Sequence, residues 1–212
     1  MQPVYDKLFS RAAFLASAGT PKEFPADRAP EIAFVGRSNV GKSSAINALT
    51  ARRRLAFASK APGRTQTVNF YDLGGAGRLV DLPGYGYARV PQAVREGWER
   101  LVGAFFAARP SLAGVVVLMD ARHPVTAQDQ RLLDWLRPYN FRQLVLLAKS
   151  DKLSRSQAAG ALKTAHRAFA PGVGEVLLFS SSSGTGVEEL RNRLGRWLSA
   201  DAAAAENKRP PV

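Results

Sequence analysis

Gly36-Arg37-Ser38-Asn39-Val40-Gly41-Lys42-Ser43 constrains this chain more than any other stretch. It fits G-x-x-x-x-G-K-[ST], a loop whose backbone N–H groups wrap a polyphosphate. Glycines at both ends leave the backbone room to approach. Lys42 is then expected to reach the outer phosphates, and the Ser43 hydroxyl to ligate Mg²⁺. Glu31 to Val35 ahead of the loop is a short apolar run suited to a buried strand. Ser44 to Leu49 behind it opens a helix whose amino end favours an anion. Strand, loop and helix in this order outweigh a chance glycine turn. The loop alone does not choose between ATP and GTP.

The chain has 212 residues, enough for one sizeable core and too few for two comfortable domains. Lys plus Arg number 30 against 17 for Asp plus Glu, a formal net charge of +13. Such an excess suggests an anionic macromolecule as partner, nucleic acid first, against the plainer reading of charge scattered for solubility. Arg52, Arg53 and Arg54, and Arg191, Arg193 and Arg196, are the candidate contacts. There is no cysteine, which excludes disulfides and thiolate metal sites. No apolar run approaches the ~18 residues of a membrane span. Asp6 and Arg11 interrupt the apolar N-terminal stretch, which makes it a poor secretion signal. A soluble cytoplasmic protein, monomeric, is expected.

Leu8, Phe9, Ala12, Ala13 and Leu15 recur at roughly helical spacing, which predicts a helix over Asp6 to Ala18. Residues 1–30 then read as a helix and linker packed on the main domain, 31–199 as that domain, and 200–212 as a disordered tail. Two apolar segments around Gly74 to Gly77 predict a hairpin. Beyond it, apolar strands alternate with amphipathic helices. The expected fold is α/β, a three-layer P-loop NTPase, its mostly parallel sheet carrying one antiparallel edge strand and helices on both faces. Each candidate ligand residue falls at a strand's carboxyl end, where open α/β sheets bind ligands.

Three further segments carry chemistry. Ala58 to Thr67 is polar, without clear period, and sits where a nucleotide switch brings a threonine onto Mg²⁺; Thr65 is the candidate. Asp81-Leu82-Pro83-Gly84 closes a strand, with Asp81 behind the metal and the Gly84 N–H offered to the γ-phosphate. Gly84 and Gly86 would let the following loop move. Ala148-Lys149-Ser150-Asp151 closes another strand. A carboxylate there accepts from guanine N1–H and the 2-amino group. With ATP, Asp151 would be buried and unpaired. The Lys149 stem would pack on the base plane. A metabolic P-loop kinase is the other enzyme reading, and it has no use for Lys149-Ser150-Asp151. Tyr85 follows Gly84 where many GTPases carry a water-orienting Gln. A phenol cannot copy that amide, so Tyr85 is expected to pack away from the phosphates and hydrolysis to be slow in isolation.

Together these segments resemble the translation-factor-related GTPases, and within them the EngB family. The resemblance rests on Gly36 to Ser44, Pro62-Gly63-Arg64-Thr65-Gln66-Thr67, Asp81 to Ala88, Lys149-Ser150-Asp151 and Phe179-Ser180-Ser181, and spans roughly Phe9 to Leu198. It implies a bacterial GTPase that binds GTP/GDP and Mg²⁺, assists assembly of the large ribosomal subunit, and is needed for normal cell division and septation. The precursor's rRNA and ribosomal proteins are then the partners. A GTP-gated scaffold of the division machinery, with incidental hydrolysis, is the alternative. The resemblance places Gly63, Arg64, Thr65, Gln66 and Thr67 on the triphosphate. Phe179, Ser180 and Ser181 support the guanine through their backbone. Asn39 stands where related GTPases use Asn to help hold K⁺ beside the phosphates, or else it merely stabilises the turn. The expected catalytic set is Lys42, Thr65, Gly84 and Asn39. Ala148 departs from the family, which usually carries Thr there to tie the base loop to the P-loop.

Overall fold

A computed structural model describes residues 5–26, 29–57, 67–86, 92–168 and 174–206. The elements in chain order are α1 (Asp6–Ser10), β1 (Ala13–Ala18), β2 (Glu31–Gly36), α2 (Lys42–Thr50), β3 (Val68–Asp72), β4 (Arg78–Asp81) and α3 (Gln92–Ala108). They continue with β5 (Leu112–Asp120), α4 (Ala127–Leu136), β6 (Gln143–Ala148), α5 (Arg155–Ala168), β7 (Gly174–Leu178) and α6 (Val187–Glu206). The strands form one sheet in the order β1-β3-β4-β2-β5-β6-β7.

Strands β4, β2, β5, β6 and β7 run parallel, and β3 runs against β4. β2 and β6 are buried along their whole length, as strands covered on both faces must be. Their side chains alternate between two cores. Ala33, Val35, Val115, Val117, Val145 and Leu147 face Val102 and Phe105 of α3, Leu132 and Leu136 of α4, and Ala165 of α5. Ile32, Phe34, Val116, Leu118, Leu144 and Leu146 face Phe9 of α1, Ile46 and Leu49 of α2, and Leu190 and Leu194 of α6. α6 lies so close to β5 that a Cβ on Gly114 would stand 2.5 Å from the Trp197 ring.

Three expectations need correction. The helix ends at Ser10, and residues 13–18 are a strand paired antiparallel with β3. The free N–H and C=O groups of β3 are a template the neighbouring segment satisfies, and this outweighs the apolar spacing. Phe14 is left 59% exposed. The antiparallel strand therefore lies second from the edge, and the N-terminal segment belongs to the sheet itself. Lastly, α6 runs on through Glu206. The alanines after Ser199 are strong helix formers and extend it; 207–212 lie outside the described residues.

Arg191 is no free cation for RNA. Its Nε donates to Leu49 O (2.8 Å) and a terminal nitrogen to Ala48 O (3.2 Å). Its other terminal nitrogen pairs with Asp6 Oδ1 (2.6 Å). The guanidinium thus caps α2 and ties α1 and α6 to it. Arg193 pairs with Glu175 and Glu189. Arg53 and Arg54 are exposed, while Arg52 donates to Ser10 O.

Candidate guanine-nucleotide site

Parallel register gathers the carboxyl ends of β2, β4, β5, β6 and β7 along one rim. Gly36, Asp81, Asp120, Ala148 and Phe179 stand there, each followed by a loop of the site. Gly41 turns the first of these loops with φ +114°, a conformation costly for any L side chain. Among the described residues, only the Ala148 Cβ would meet a Cβ added there, at 3.9 Å. Val40 anchors the loop in the core, and Arg37, Ser38 and Ser43 remain partly exposed. Helix α2 begins at Lys42, and its first-turn N–H groups have no acceptor within the helix.

Lys42 Nζ lies 2.7 Å from Asp81 Oδ1. That oxygen is buried and the contact is not aligned as a hydrogen bond. A buried carboxylate oxygen without a hydrogen bond, one strand from the Ser43 hydroxyl, suits a site that accepts a hydrated divalent cation. Arriving phosphates would offer Lys42 a stronger anion than Asp81 does.

Leu82 is buried in the core and its N–H donates to Phe34 O (3.0 Å). Pro83 O accepts from Trp98 Nε1 (2.7 Å). A Cβ on Gly84 would stand 3.0 Å from Ser38 Cα, so only glycine lets this turn lie on the P-loop. The Tyr85 side chain packs on α3 and α4. Its ring meets Trp98 edge-on, and its hydroxyl donates to Asp129 Oδ1 (2.8 Å). Burial, then the charge of Asp129, pushes the phenol pKa far up, so it stays protonated.

At the base end, Lys149 has φ +64° and aims Nζ at Asn39 O and Asp120 Oδ2, both at 3.0 Å. Lys149 therefore joins the base loop to the P-loop. Asp120 was not foreseen from sequence, although it closes β5 as Asp81 closes β4. The Arg122 side chain first, then Lys149, holds its carboxyl well below the usual range.

The Asp151 carboxylate already has a partner. Ser180 Oγ donates to its Oδ1 (2.7 Å), and Lys152 Nζ stands 3.2 Å from Oδ2. The Ser180 hydroxyl is the foremost cause of a lowered pKa at Asp151. Ser180 is itself buried, and its Oγ accepts from Ser183 N–H (3.2 Å). Ser150 N–H donates to Phe179 O (3.1 Å), stitching the two loops together. Ser180 thus holds Asp151 through its side chain; Ser181 is exposed.

Gly63, Arg64, Thr65 and Gln66 lie outside the described residues, and with them the expected threonine ligand. Thr67 Oγ1 stands 3.4 Å from Asn69 Oδ1 at the start of β3. Asn39 adopts φ +61° and its side chain is exposed.

Known proteins resemble this chain in sequence and in fold. A family described as 50S ribosome-binding GTPase matches residues 31–149. "Probable GTP-binding protein EngB" of Dechloromonas aromatica is 48% identical over 96% of this chain and 94% of its own length. The crystal structure of a probable GTP-binding protein engB superposes with TM-score 0.60 at 23% identity, over 80% of this chain and 99% of that one. Era in complex with MgGDPNP and nucleotides 1506–1542 of 16S ribosomal RNA superposes with TM-score 0.61 at 19% identity, over 81% of this chain and 57% of Era.

Proposed function

The chain belongs to the EngB family of GTP-binding proteins, and on that premise we propose that it is a Mg²⁺-dependent GTPase switch. It acts in assembly of the large ribosomal subunit, and cell division and septation depend on it. Family membership carries GTP binding and hydrolysis. The single observation that supports this nucleotide over ATP is the Asp151 carboxylate, held ionised and oriented by Ser180 at the rim that also carries Lys42. Mg²⁺ would neutralise charge on the phosphate oxygens. Ser43 and, by the family pattern, Thr65 would hold it, with Asp81 behind. Lys42 draws the outer phosphates inward, and the Gly84 N–H meets the terminal one. With Tyr85 held by Asp129, the position after Gly84 supplies no amide to orient water, which supports slow hydrolysis in isolation.

The test is sedimentation of the protein with ribosomal subunits. Pelleting with the large subunit is expected with a non-hydrolysable GTP analogue and not with GDP, and it should weaken as salt rises. No helix of the described residues is long and apolar enough to cross a membrane. Exposed Arg53 and Arg54 are the arginines to change, Arg191 and Arg193 being occupied within the fold. Arg53→Glu with Arg54→Glu should flatten the salt slope by about two. Pelleting that ignores nucleotide would sink the switch, and an unchanged slope would clear that arginine pair of RNA contact.

A cation beside the phosphates would offset charge developing during hydrolysis. Asn39 sits on the rim in a left-handed turn with its side chain exposed, which suits such a ligand. Single-turnover hydrolysis is expected to run faster in K⁺ than in Na⁺, and Asn39→Ala to abolish the difference. Equal rates in the two salts, with and without large-subunit particles, would remove K⁺ from the site.

A further inference from the structure

Two loops of the site meet on one buried carboxylate. Asp129, at the start of α4, is 0% exposed. Its Oδ2 is committed to its own helix, accepting from Thr126 N–H (2.9 Å) and Thr126 Oγ1 (2.7 Å) in a capping box. That cap fixes the carboxylate plane and turns Oδ1 outward. Oδ1 accepts the Tyr85 hydroxyl at 2.8 Å. Arg37 Nε of the P-loop stands 3.8 Å from the same oxygen. This nitrogen is buried and has no hydrogen-bond partner among the described residues.

The segment carrying Tyr85 is laid against the P-loop. Ser38 N–H donates to Tyr85 O (2.9 Å), and Tyr85 N–H to Gly36 O (3.3 Å). Gly86, with φ +81°, packs so tightly on Gln128 that an added Cβ would stand 2.7 Å from Oε1. The first turn of α4 is therefore a dock for Tyr85 and Gly86. Val125, just before it, is a β-branched residue at φ +58°. Such strain persists only where the surroundings enforce it.

We propose that Asp129 is a positioning residue whose Oδ1 is exchanged between two partners, Tyr85 when Tyr85 and Gly86 lie on the P-loop and Arg37 when they lift toward a terminal phosphate. The proposal rests on reading the rim as a guanine-nucleotide site. The Tyr85 bond stabilises the docked arrangement. Its release would leave a buried carboxylate short of a donor, and Arg37, already poised within 3.8 Å, closes that gap. Neither residue is asked to touch the reacting atoms. They set how readily the triphosphate-competent arrangement is reached, and so how the protein ranks GTP against GDP.

The two partners should act with opposite sign. Affinities for fluorescent GDP and a fluorescent non-hydrolysable GTP analogue are measured on the full chain. Tyr85→Phe keeps the ring against Trp98 and removes only the hydroxyl; it should raise preference for the GTP analogue about tenfold. Arg37→Met keeps the stem and removes the charge; it should lower that preference about threefold. Tyr85→Phe should change that preference little once Asp129 is replaced by Ala, since Asp129→Ala has already removed the acceptor. A structural role only would weaken both nucleotides alike or shift thermal stability without moving their ratio. An unmoved ratio in Tyr85→Phe, or shifts of the same sign in both single variants, overturns the exchange while leaving the nucleotide site intact. A wild-type chain that binds neither nucleotide overturns the site and the exchange together.

Discussion

Asp151→Asn should lower GTP affinity about 10³-fold and admit xanthosine triphosphate in its place. The carboxylate presents two acceptors to guanine N1–H and its 2-amino group, and charged acceptors make the stronger hydrogen bonds. An asparagine presents one acceptor and one donor. The donor then faces the 2-amino group and leaves it unpaired, whereas xanthine offers a carbonyl at that position. Ser180 already donates to Asp151 Oδ1 at 2.7 Å, so the side chain is oriented before any base arrives. Ser180→Ala should accordingly weaken guanine binding about tenfold without changing base preference, since the hydroxyl orients the carboxylate but reads no base edge. Equilibrium binding of GTP, ATP and xanthosine triphosphate to the two variants checks both statements. Unchanged guanine preference in Asp151→Asn would mean that another group reads the base.

Glu31→Ala should destabilise the fold by about 3–5 kcal/mol, the cost of breaking a buried ion pair from one side. Glu31 opens β2 at 0% exposure. Arg109, at the end of α3, grips it with two nitrogens, Nε to Oε2 at 2.9 Å and a terminal nitrogen to Oε1. Arg78 of β4 donates to the same Oε1 at 3.2 Å. Arg109 also donates to Pro25 O (2.7 Å) and stands 5.6 Å over the Phe70 ring, so it joins the linker, the sheet and α3. Removing the carboxylate leaves guanidinium charge in a desolvated place that no water readily reaches. Glu31 lies at the amino end of β2, roughly 17 Å from Gly36 at ~3.3 Å per residue. Urea unfolding should therefore show a large fall in midpoint, while the folded fraction keeps its nucleotide preference. A loss below about 1 kcal/mol, the range of an exposed pair, would mean that the cluster is effectively solvated.

The residues that make these predictions possible were not equally readable. The P-loop, Asp81 to Gly84 and Lys149 to Asp151 could be found in the sequence because each does its work through contiguous residues. Their glycines, hydroxyls and charges must fall at set spacings for a backbone to wrap an anion or a carboxylate to meet a base edge. The parallel strands were legible for a similar reason: burial on both faces demands uninterrupted apolar runs such as Leu144 to Ala148. The N-terminal segment misled because helical spacing is a local signal. Residues 13–18 answered to the open edge of β3, which no local pattern announces.

Only the tertiary structure could assign Asp129, Glu31 and Arg191. Thr126 and Asp129 cap α4, and only the packing of the P-loop and Tyr85 against that cap sets the spare oxygen before Tyr85 and Arg37. Arg191 looked like one of many surface cations until α2 and α6 came together and gave it two carbonyls and Asp6 to hold. A backbone turn or a strand is decided by neighbours along the chain. The partner of a side chain is decided by which elements pack against it, and a charge removed from water must find that partner in space.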